Sequence, residues 1–372
     1  MKILQTPVRF YPFTGGVEQY VYYLSKELVK IGHQIEVLCA NEPPSKKTEI
    51  IEGIKVKRLP YIAKIANTNL TPTLPLEIAR SDFEIIHTHL PTPWSADWSM
   101  ILSKIKNKHL ILSYYNDVIG TGFSDYLARF YNSTSLKLLL KAAKKIIIIQ
   151  EDYQHSSPHL KNYQDKIEVV PCGVDTEKFQ PNNSKKGKDT LFFLSVLDEF
   201  HRYKGLDYLL EALKIVKQQI PQVKLIVGGG GNLIGFYQGQ VKFLNLENNV
   251  EFHGFIPDEK LPEYYNQCNA FVLPSISSSQ EGFGIVALEA LACGKPVIST
   301  EIVGIADDIK NNNLGAIVQP CDPDSLADAI IKVLSDISDS QKMERKCRGV
   351  VEKNYTWRYV AKITDKIYQD VV

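Results

Sequence analysis

The sequence predicts an α/β protein with two doubly wound domains, each a parallel sheet covered by helices on both faces. Short apolar runs alternate with helical stretches along the chain, and this alternation is typical of parallel strands joined by crossover helices. The chain has 372 residues, more than one hydrophobic core normally supports. A polar stretch without periodicity at 181–188 separates two such alternations, so we predict that it is a linker.

The first alternation contains a glycine loop after its first strand. Expected strands are 2–5, 34–39, 54–59, 83–87, 110–114, 145–149 and 167–170. After Gly15 and Gly16, apolar residues recur every three or four positions up to Ile31, which predicts a helix that Gly32 ends. The glycines therefore follow the carboxyl end of a strand, where ligands bind in open α/β sheets.

The second alternation repeats this architecture without visibly repeating the sequence. Expected strands are 191–197, 223–228, 250–253, 270–274 and 297–300, and expected helices lie near 205–219, 258–267, 284–293 and 324–335. Neither Gly15-Gly16 nor the run 228–231 completes the pattern G-x-G-x-x-G. This disfavours a dehydrogenase that binds a dinucleotide.

Composition excludes several classes of protein. Hydrophobic residues make up 44% and charged residues 23% of the chain, as in ordinary globular proteins. The formal net charge of +1 provides no general basic field for nucleic acid. Six cysteines without a Cys-x-x-Cys pair predict neither a zinc knuckle nor a disulfide framework.

One stretch, 281–300, points to a polar ligand. From Ile285 to Cys293 every residue except Glu289 is apolar, so a helix there should be buried, and a lone carboxylate on it needs a partner. Gly282 and Gly284 leave the first helical N–H groups accessible, and such an N-terminus suits a phosphate. With Glu281 before the helix, two carboxylates could grip hydroxyl groups at two places on one ligand. A sugar nucleotide has that shape.

The same stretch carries a family resemblance. Glu-Gly-Phe-Gly, the apolar helix and Ala-Cys-Gly-Lys-Pro-Val resemble the E-x7-E signature of family-four (group 1) retaining glycosyltransferases, which have the GT-B fold. Further landmarks in the family's order are the segments 15–18, 171–175, 204–207, 274–275 and 355–357. The resemblance covers nearly the whole chain, and an ordered series of motifs is more specific than any single one.

The resemblance implies a domain arrangement. Two Rossmann-like domains would face each other across a cleft, and the final helix would cross back to the first domain. The acceptor-side domain would then comprise 1–180 with the helix 355–372, and the domain that holds the nucleotide-sugar would comprise 189–354.

The resemblance also implies roles for the residues that match the family's motifs. Glu289 would bind the ribose hydroxyls, and Glu281 would bind the sugar hydroxyls together with backbone amides of Phe283, Gly284 and Ile285. Lys204 would lie on the diphosphate. Gly15 and Gly16 would let the backbone of the first domain approach the phosphates.

Two positions depart from the family's pattern. Where the family often has Gly-Arg before Lys-Gly, this chain has Tyr203, so the arginine partner would be Arg202. The family's usual histidine is replaced by Tyr115, at a position expected to face the reacting sugar. We count Lys204, Arg202, Glu281 and Tyr115 as the candidate catalytic residues.

The expected function is retaining transfer of a sugar from a nucleotide diphosphate donor, UDP- or GDP-linked, to a glycan, a lipid-linked or a small-molecule acceptor. Positioning and stabilisation of the departing diphosphate would provide the catalysis, with no covalent nucleophile and no cofactor. Two alternatives stay open: a nucleotide-sugar epimerase on the same fold, and a non-catalytic two-domain sugar-binding protein. Turnover of a nucleotide-sugar separates the three.

We expect no metal site. Asp322 and Asp324 resemble a chelating Asp-x-Asp pair, but they stand directly before a helix, where Asp is the usual cap. His87 and His89 could be two ligands, but we expect their side chains to face opposite ways and find no third ligand nearby.

One helix could contact a membrane surface. Lys137, Lys141 and Lys144 recur at helical spacing opposite leucines, which favours a solvated face on a packed helix and leaves open a weak contact with anionic lipid. The amino terminus shows no apolar signal-peptide core, and no stretch is apolar enough to span a bilayer. The expectation is a cytoplasmic protein, and peripheral contact with the inner face of the membrane stays open.

Overall fold

The computed structural model describes residues 1–13, 15–118, 120, 123–182, 187–278, 280–336 and 340–372. The chain divides into two compact units, one made of Met1–Gly173 with Trp357–Val372 and the other of Val174–Thr356. Each unit is built on its own mainly parallel sheet. The predicted α/β class is confirmed.

The first unit contains a sheet in the order β10-β9-β8-β7-β1-β2-β4-β3, in which the pair β3–β4 is antiparallel. Its strands are β1 (Lys2–Thr6), β2 (Gln34–Ala40), β3 (Thr48–Ile51), β4 (Ile54–Leu59), the hairpin β5 (Ala63–Ile65) and β6 (Thr68–Leu70), β7 (Ile85–Leu90), β8 (His109–Tyr114), β9 (Lys145–Ile148) and β10 (Ile167–Val169). Its helices are α1 (Gly16–Lys30), α2 (Leu74–Arg80), α3 (Pro93–Ile105), α4 (Phe123–Ser133), α5 (Ser135–Ala142), α6 (Tyr153–Ser156) and α14 (Trp357–Gln369).

Helices α1 and α14 pack against each other in the first unit. Helix α1 buries Tyr20, Val21, Leu24 and Leu28, the spacing of three and four that predicted it. Trp357 at the start of α14 stacks on Tyr23 of α1, with ring centroids 5.3 Å apart. Gly173 permits this packing, because a Cβ there would lie 2.5 Å from the indole of Trp357.

The second unit contains a sheet in the order β13-β12-β11-β14-β15-β16, in which every pair is parallel. Its strands are β11 (Thr190–Leu194), β12 (Lys224–Gly228), β13 (Val250–Gly254), β14 (Ala270–Leu273), β15 (Val297–Thr300) and β16 (Gly315–Val318). Its helices are α7 (Leu206–Gln219), α8 (Ile234–Phe243), α9 (Leu261–Gln267), α10 (Ile285–Ala292), α11 (Ala306–Asn311), α12 (Pro323–Ser335) and α13 (Ser340–Asn354). The order is that of a doubly wound nucleotide-binding sheet.

The glycine run after β12 serves close backbone packing. Gly229 has a φ of +118°, and a Cβ there would lie 1.7 Å from the carbonyl oxygen of Ser195. On either side, Ser195 N donates to Gly228 O and Leu197 N to Gly230 O, at 3.1 and 2.9 Å. The chain leaving β11 is thus held beside the chain leaving β12, and Gly229 admits no side chain between them.

The division between the units falls outside the predicted linker. Segment 174–180, which the sequence placed in the first domain, lies in the second unit. Val174 N donates to Tyr355 O at 2.8 Å, and the Arg348 guanidinium donates to the carbonyl oxygens of Thr176 and Phe179 at 2.8 and 2.6 Å. These bonds tie the segment to α13 and to Tyr355 directly after it, and no composition signal indicates them. Residues 183–186 of the predicted linker lie outside the described residues.

None of the helices among the described residues combines the length and the apolar character needed to cross a membrane.

Candidate functional site

The candidate site of the second unit lies at the carboxyl ends of β11 and β14. These strands are neighbours in the sheet, although β12, β13 and three helices separate them in the chain. The chain continues from β11 towards one edge of the sheet and from β14 towards the other. Ligands of doubly wound sheets bind at such a reversal of strand order. Lys204 follows β11, and Glu281 follows β14.

Lys204 and Glu281 form a shielded ion pair. The Lys204 ammonium donates to both oxygens of Glu281, at 3.0 and 2.8 Å. The side chains are 15% and 4% exposed. The hydroxyl of buried Ser275 also donates to Glu281. The sequence predicted both charged residues as ligand contacts, but it did not predict that they bind each other.

The two loops that carry this ion pair contact each other through their backbones. Gly205 has a φ of +78°, and a Cβ there would lie 2.0 Å from the carbonyl oxygen of Pro274. Ile276 N donates to Tyr203 O at 2.8 Å. The loop that carries Lys204 therefore lies directly against the loop that leads to Glu281, and glycine is required at the contact.

Helix α10 begins immediately after the second loop. Gly284 precedes it with a φ of +81°, and a Cβ there would lie 2.5 Å from a methyl group of Val303. The ring of Phe283 is buried against Tyr355, with centroids 5.7 Å apart. The N-terminal N–H groups that start at Ile285 lack acceptors within the helix and carry the positive end of its dipole. The turn is therefore suited to an anionic group.

Glu289 lies in the second turn of α10, a helix otherwise apolar and mostly buried, as predicted. The hydroxyl of Tyr265 donates to Glu289 Oε2 at 2.7 Å. Burial raises the pKa of Glu289 to about 7, while the Tyr265 hydrogen bond and the charge of Lys178 act in the opposite direction. Lys178 itself pairs with Asp258. This carboxylate is thus close to its titration point at neutral pH.

Arg202 contacts residues other than Lys204 and Glu281. Its guanidinium is 3.5 Å from Asp207 and 3.7 Å from Glu199, and it covers the ring of Phe236 at 5.2 Å. The pKa of Arg202 is raised, mainly by the negative charge of Asp207. The side chain is 43% exposed. The structure therefore holds Arg202 at the start of α7 and α8, separately from the bonds that join Lys204 to Glu281.

In the first unit, Gly15 and Gly16 differ in what surrounds them. A Cβ on Gly15 would lie 2.2 Å from a carboxylate oxygen of Glu18, whereas a Cβ on Gly16 would have no described atom within 4 Å. Glu18 is buried and accepts from Arg9 at 3.0 Å. Gly15 is thus explained by packing. Gly16, at the first position of α1, stands on an open surface.

Tyr115 lies in a network of buried polar side chains. It is 8% exposed, and its hydroxyl is 3.2 Å from Nδ1 of His89. His89 also bonds Gln5 at 2.8 Å, and His87 bonds Ser113 and Tyr368 at 2.8 and 2.6 Å. Burial lowers the pKa of His87 to about 3 and that of His89 also well below its usual value. Both imidazoles are neutral at pH 7.

The expectation that His87 and His89 face opposite ways was wrong. Residues two apart on a strand share a face, and the two rings lie 4.6 Å apart. Among the described residues, no group of three His, Cys, Asp or Glu side chains could hold a metal ion. Asp322 caps α12 by accepting from Ser325 N at 3.0 Å, as predicted.

Comparisons with known proteins match both units to families of glycosyltransferases. Residues 174–350 match the family described as "Glycosyl transferases group 1", and residues 14–178 match "Glycosyltransferase Family 4". The gpi3 subunit of phosphatidylinositol N-acetylglucosaminyltransferase from Schizosaccharomyces pombe is 24% identical, over 97% of this chain and 79% of that protein. O-antigen chain mannosyltransferase C from Escherichia coli is 28% identical, over 96% and 95%.

Solved structures share the fold. Sucrose-phosphate synthase from Thermosynechococcus elongatus superposes with a TM-score of 0.75 at 23% identity, over all of this chain and 98% of that one. Anabaena HepE in complex with UDP gives 0.76 at 18% identity, over the whole of both chains. The GT-B fold class is confirmed. Because the two family matches overlap at 174–178 and together cover 14–350, the chain belongs to the group 1 glycosyltransferases.

Proposed function

We propose that this glycosyltransferase moves a sugar from a UDP- or GDP-linked donor with retention of anomeric configuration. The observation that carries the proposal is the convergence of Lys204, Glu281 and the start of α10 at the reversal of strand order in the second unit. A cation, a carboxylate and an anion-binding helix terminus are what a sugar diphosphate requires. The related Anabaena HepE is described in complex with UDP.

In this proposal Lys204 binds the diphosphate while it remains paired with Glu281. A lysine ammonium has three N–H donors, and Glu281 accepts two of them. The third donor is available to a phosphate oxygen without breaking the ion pair. The same carboxylate would accept hydrogen bonds from the sugar hydroxyls, and the backbone amides of Phe283, Gly284 and Ile285 would donate to the hydroxyl oxygens.

Glu289 is the proposed ribose contact. Its Oε2 already accepts from Tyr265, and an ionised carboxylate has acceptor capacity left for two hydroxyl groups. Gly15 and Gly16 remain proposed donor contacts of the first unit, supported by the open surroundings of Gly16. Arg202 and Tyr115 remain proposed catalytic residues. Lys204 and the α10 dipole would stabilise the departing diphosphate without a divalent ion.

The acceptor is proposed to be a glycan or lipid-linked molecule reached at a membrane surface. The names of two relatives refer to phosphatidylinositol and to an O-antigen chain. On α5, Lys137 and Lys141 are exposed while Leu136, Leu139 and Leu140 are buried. The adjoining α4 exposes Tyr126, Leu127 and Phe130, on one helical face, to 73%, 47% and 69%. Exposed aromatic residues beside lysines are typical of contact with anionic lipid.

The test is a thermal-shift screen against nucleoside diphosphates, followed by assay of turnover. A nucleotide at about a hundred times its Kd should add about 2.7 kcal/mol to the free energy of unfolding. This corresponds to a rise of about 5–10 °C in Tm for a unit of this size. The stabilising nucleotide then identifies the donor class, and product analysis separates transfer to an acceptor from epimerisation. Absence of a shift with UDP, GDP, ADP and TDP, or of turnover with their sugars, would refute the proposal.

A further inference from the structure

Tyr265 is a buried tyrosine that the expected chemistry does not use. It lies on α9, is fully buried, and touches the donor site only through its hydroxyl, 2.7 Å from Glu289 Oε2. Its ring is enclosed by three phenylalanines, with centroid distances of 5.9, 5.2 and 5.4 Å to Phe179, Phe192 and Phe271. Such an aromatic cluster prevents the ring from leaving its rotamer. The hydroxyl is therefore a fixed donor.

The helix that carries Tyr265 is fixed as well. Buried Lys295 follows α10 and donates to the carbonyl oxygen of Asn266 at 2.8 Å. The Asn266 side chain donates to the carbonyl oxygens of Pro262 and Gln180 at 2.8 and 3.0 Å. These bonds join the end of α9 to the segment after α10. The distance between the Tyr265 hydroxyl and α10 is thus set by the packing around it.

The carboxylate of Glu289 accepts a hydrogen bond through one of its two oxygens. In the parts of the chain that the structure describes, Tyr265 is the hydrogen-bond donor found on Oε2, and none is found on Oε1. The remaining charged groups that act on this carboxylate are Lys178 and Asp258, which form an ion pair with each other. Their effects on Glu289 oppose one another. The Tyr265 hydrogen bond is the contact that both orients the carboxylate and favours its ionised form.

We propose that Tyr265 is a positioning residue of the nucleotide site, whose hydroxyl fixes one oxygen of Glu289 so that the ionised carboxylate presents its other oxygen to the ribose of the donor. The inference rests on the proposed ribose-binding role of Glu289. It goes beyond that role, because it assigns a residue that does not itself touch the ligand. Tyr265 would act on nucleotide affinity and on the pH at which that affinity is lost.

The pH dependence distinguishes this role from a merely structural one. Binding of ribose hydroxyls by an ionised carboxylate weakens as pH falls through the pKa of Glu289, which is about 7. Removing a hydrogen bond to the charged form raises that pKa further. In Tyr265→Phe, which keeps the ring and its packing, we expect the loss of nucleotide affinity to begin at a pH about one unit higher. Loss of packing alone would not move this midpoint.

The experiment is calorimetric titration of the full chain with UDP or GDP, whichever stabilises the wild-type protein, from pH 6 to 9. The control is Tyr264→Phe, the same change at the neighbouring residue, whose hydroxyl lies 3.1 Å from His253. At pH 7 we expect Kd to rise about fifteenfold for Tyr265→Phe, a difference that shrinks to about threefold at pH 9, where Glu289 is ionised in both proteins. Tyr264→Phe should follow the wild type. The titration of the nucleotide itself is common to all these proteins and cancels in the comparison.

Glu289→Gln separates failure of this inference from failure of the proposed function. If Glu289→Gln weakens binding and leaves only the pH dependence of the nucleotide itself, while Tyr265→Phe follows the wild type throughout, the ribose contact stands and the positioning role of Tyr265 is refuted. If Glu289→Gln leaves Kd unchanged at every pH, the ribose contact itself is wrong, and the inference fails with it. A Tyr265→Phe curve displaced to higher pH, measured at a temperature where the variant remains folded, supports the inference.

Discussion

Removing one member of the Lys204–Glu281 pair should destabilise the second unit by an amount that its burial determines. In Lys204→Ala, the Glu281 carboxylate remains in a site where it is 4% exposed, with Ser275 still donating to it. Breaking a fully buried ion pair costs about 3–5 kcal/mol. Because Lys204 is itself 15% exposed, water reaches the vacated position, and we expect a loss near the lower end, about 3 kcal/mol.

The pair predicts coupling as well as loss. Lys204→Ala/Glu281→Ala leaves neither charge unpaired, so the double variant should lose about 1–3 kcal/mol less than the sum of the single variants. Lys224→Ala is the matched control, since Lys224 lies 3.7 Å from Glu251 on the surface of the same unit, with side chains 43% and 56% exposed. An exposed pair contributes less than about 1 kcal/mol.

Urea unfolding can be assigned to one unit because of where the tryptophans lie. Trp94, Trp98 and Trp357 all belong to the first unit. Circular dichroism reports both units, so a transition that Lys204→Ala shifts in circular dichroism but not in tryptophan fluorescence belongs to the second. A loss of less than about 1 kcal/mol in Lys204→Ala, or strict additivity in the double variant, would contradict the reasoning.

The same substitution tests catalysis. If Lys204 stabilises the departing diphosphate, Lys204→Ala should lower kcat by about a hundredfold or more at a temperature where the variant remains folded. A kcat unchanged at saturating donor would remove Lys204 from the catalytic residues while leaving its structural role intact.

Four further predictions follow from particular groups. Transfer should persist in excess EDTA, because Lys204 and the α10 dipole are proposed to replace a divalent ion, and loss restored by Mg²⁺ or Mn²⁺ would contradict this. Tyr115→Phe should keep nucleotide affinity and lower kcat about tenfold, if one hydrogen bond of about 1.4 kcal/mol is made only in the transition state. An unchanged kcat with an altered KM for the acceptor would show that Tyr115 only lines the acceptor site. The folded-state pKa of His87, about 3, lies below its unfolded value of about 6.5, so the unfolding free energy should decline as pH falls from about 6.5 towards 3, by about 2 kcal/mol at pH 5; a His87→Asn variant with the same pH slope as the wild type would refute this. Vesicles with anionic lipid should sediment the wild type but release Tyr126→Ser/Phe130→Ser, whereas equal binding to neutral vesicles would exclude the lysine contribution.

Elements with a strong periodic pattern could be predicted from the sequence, and those without it could not. Helix α10 was expected at 284–293 and occupies Ile285–Ala292. Helix α8 was missed because Gly235 and Gly239 lie inside it and reduce its helical propensity. The strand β16 was missed because Gly315 and Ala316, which form its first half, have low strand propensity. Core packing of Tyr237 and Val241 stabilises α8, and pairing with β15 stabilises β16, where local preference does not.

Polar contacts between distant segments lay beyond what a sequence pattern can indicate. His87 and Tyr368 are 281 positions apart, and Lys204 and Glu281 are 77 apart. Each of these residues was visible in the sequence, but the partner of each depends on strand order and on the rotamers that the core allows. The prediction that Lys204 and Glu281 serve one ligand therefore named two residues of the site without their mutual bond.

A turn at Gly284 separates Glu281 from Glu289, which lie eight residues apart in the sequence. Glu281 lies before the helix, because Gly284, in the left-handed region, ends the loop and Ile285 begins α10. Only Glu289 lies on the helix, so helical periodicity does not determine the relative positions of the two carboxylates. Glu281 is held by a lysine and a serine, whereas Glu289 is held by a phenol. Two identical side chains in one motif thus experience different electrostatic surroundings, and acidification below the Glu289 pKa of about 7 should weaken its ribose contact.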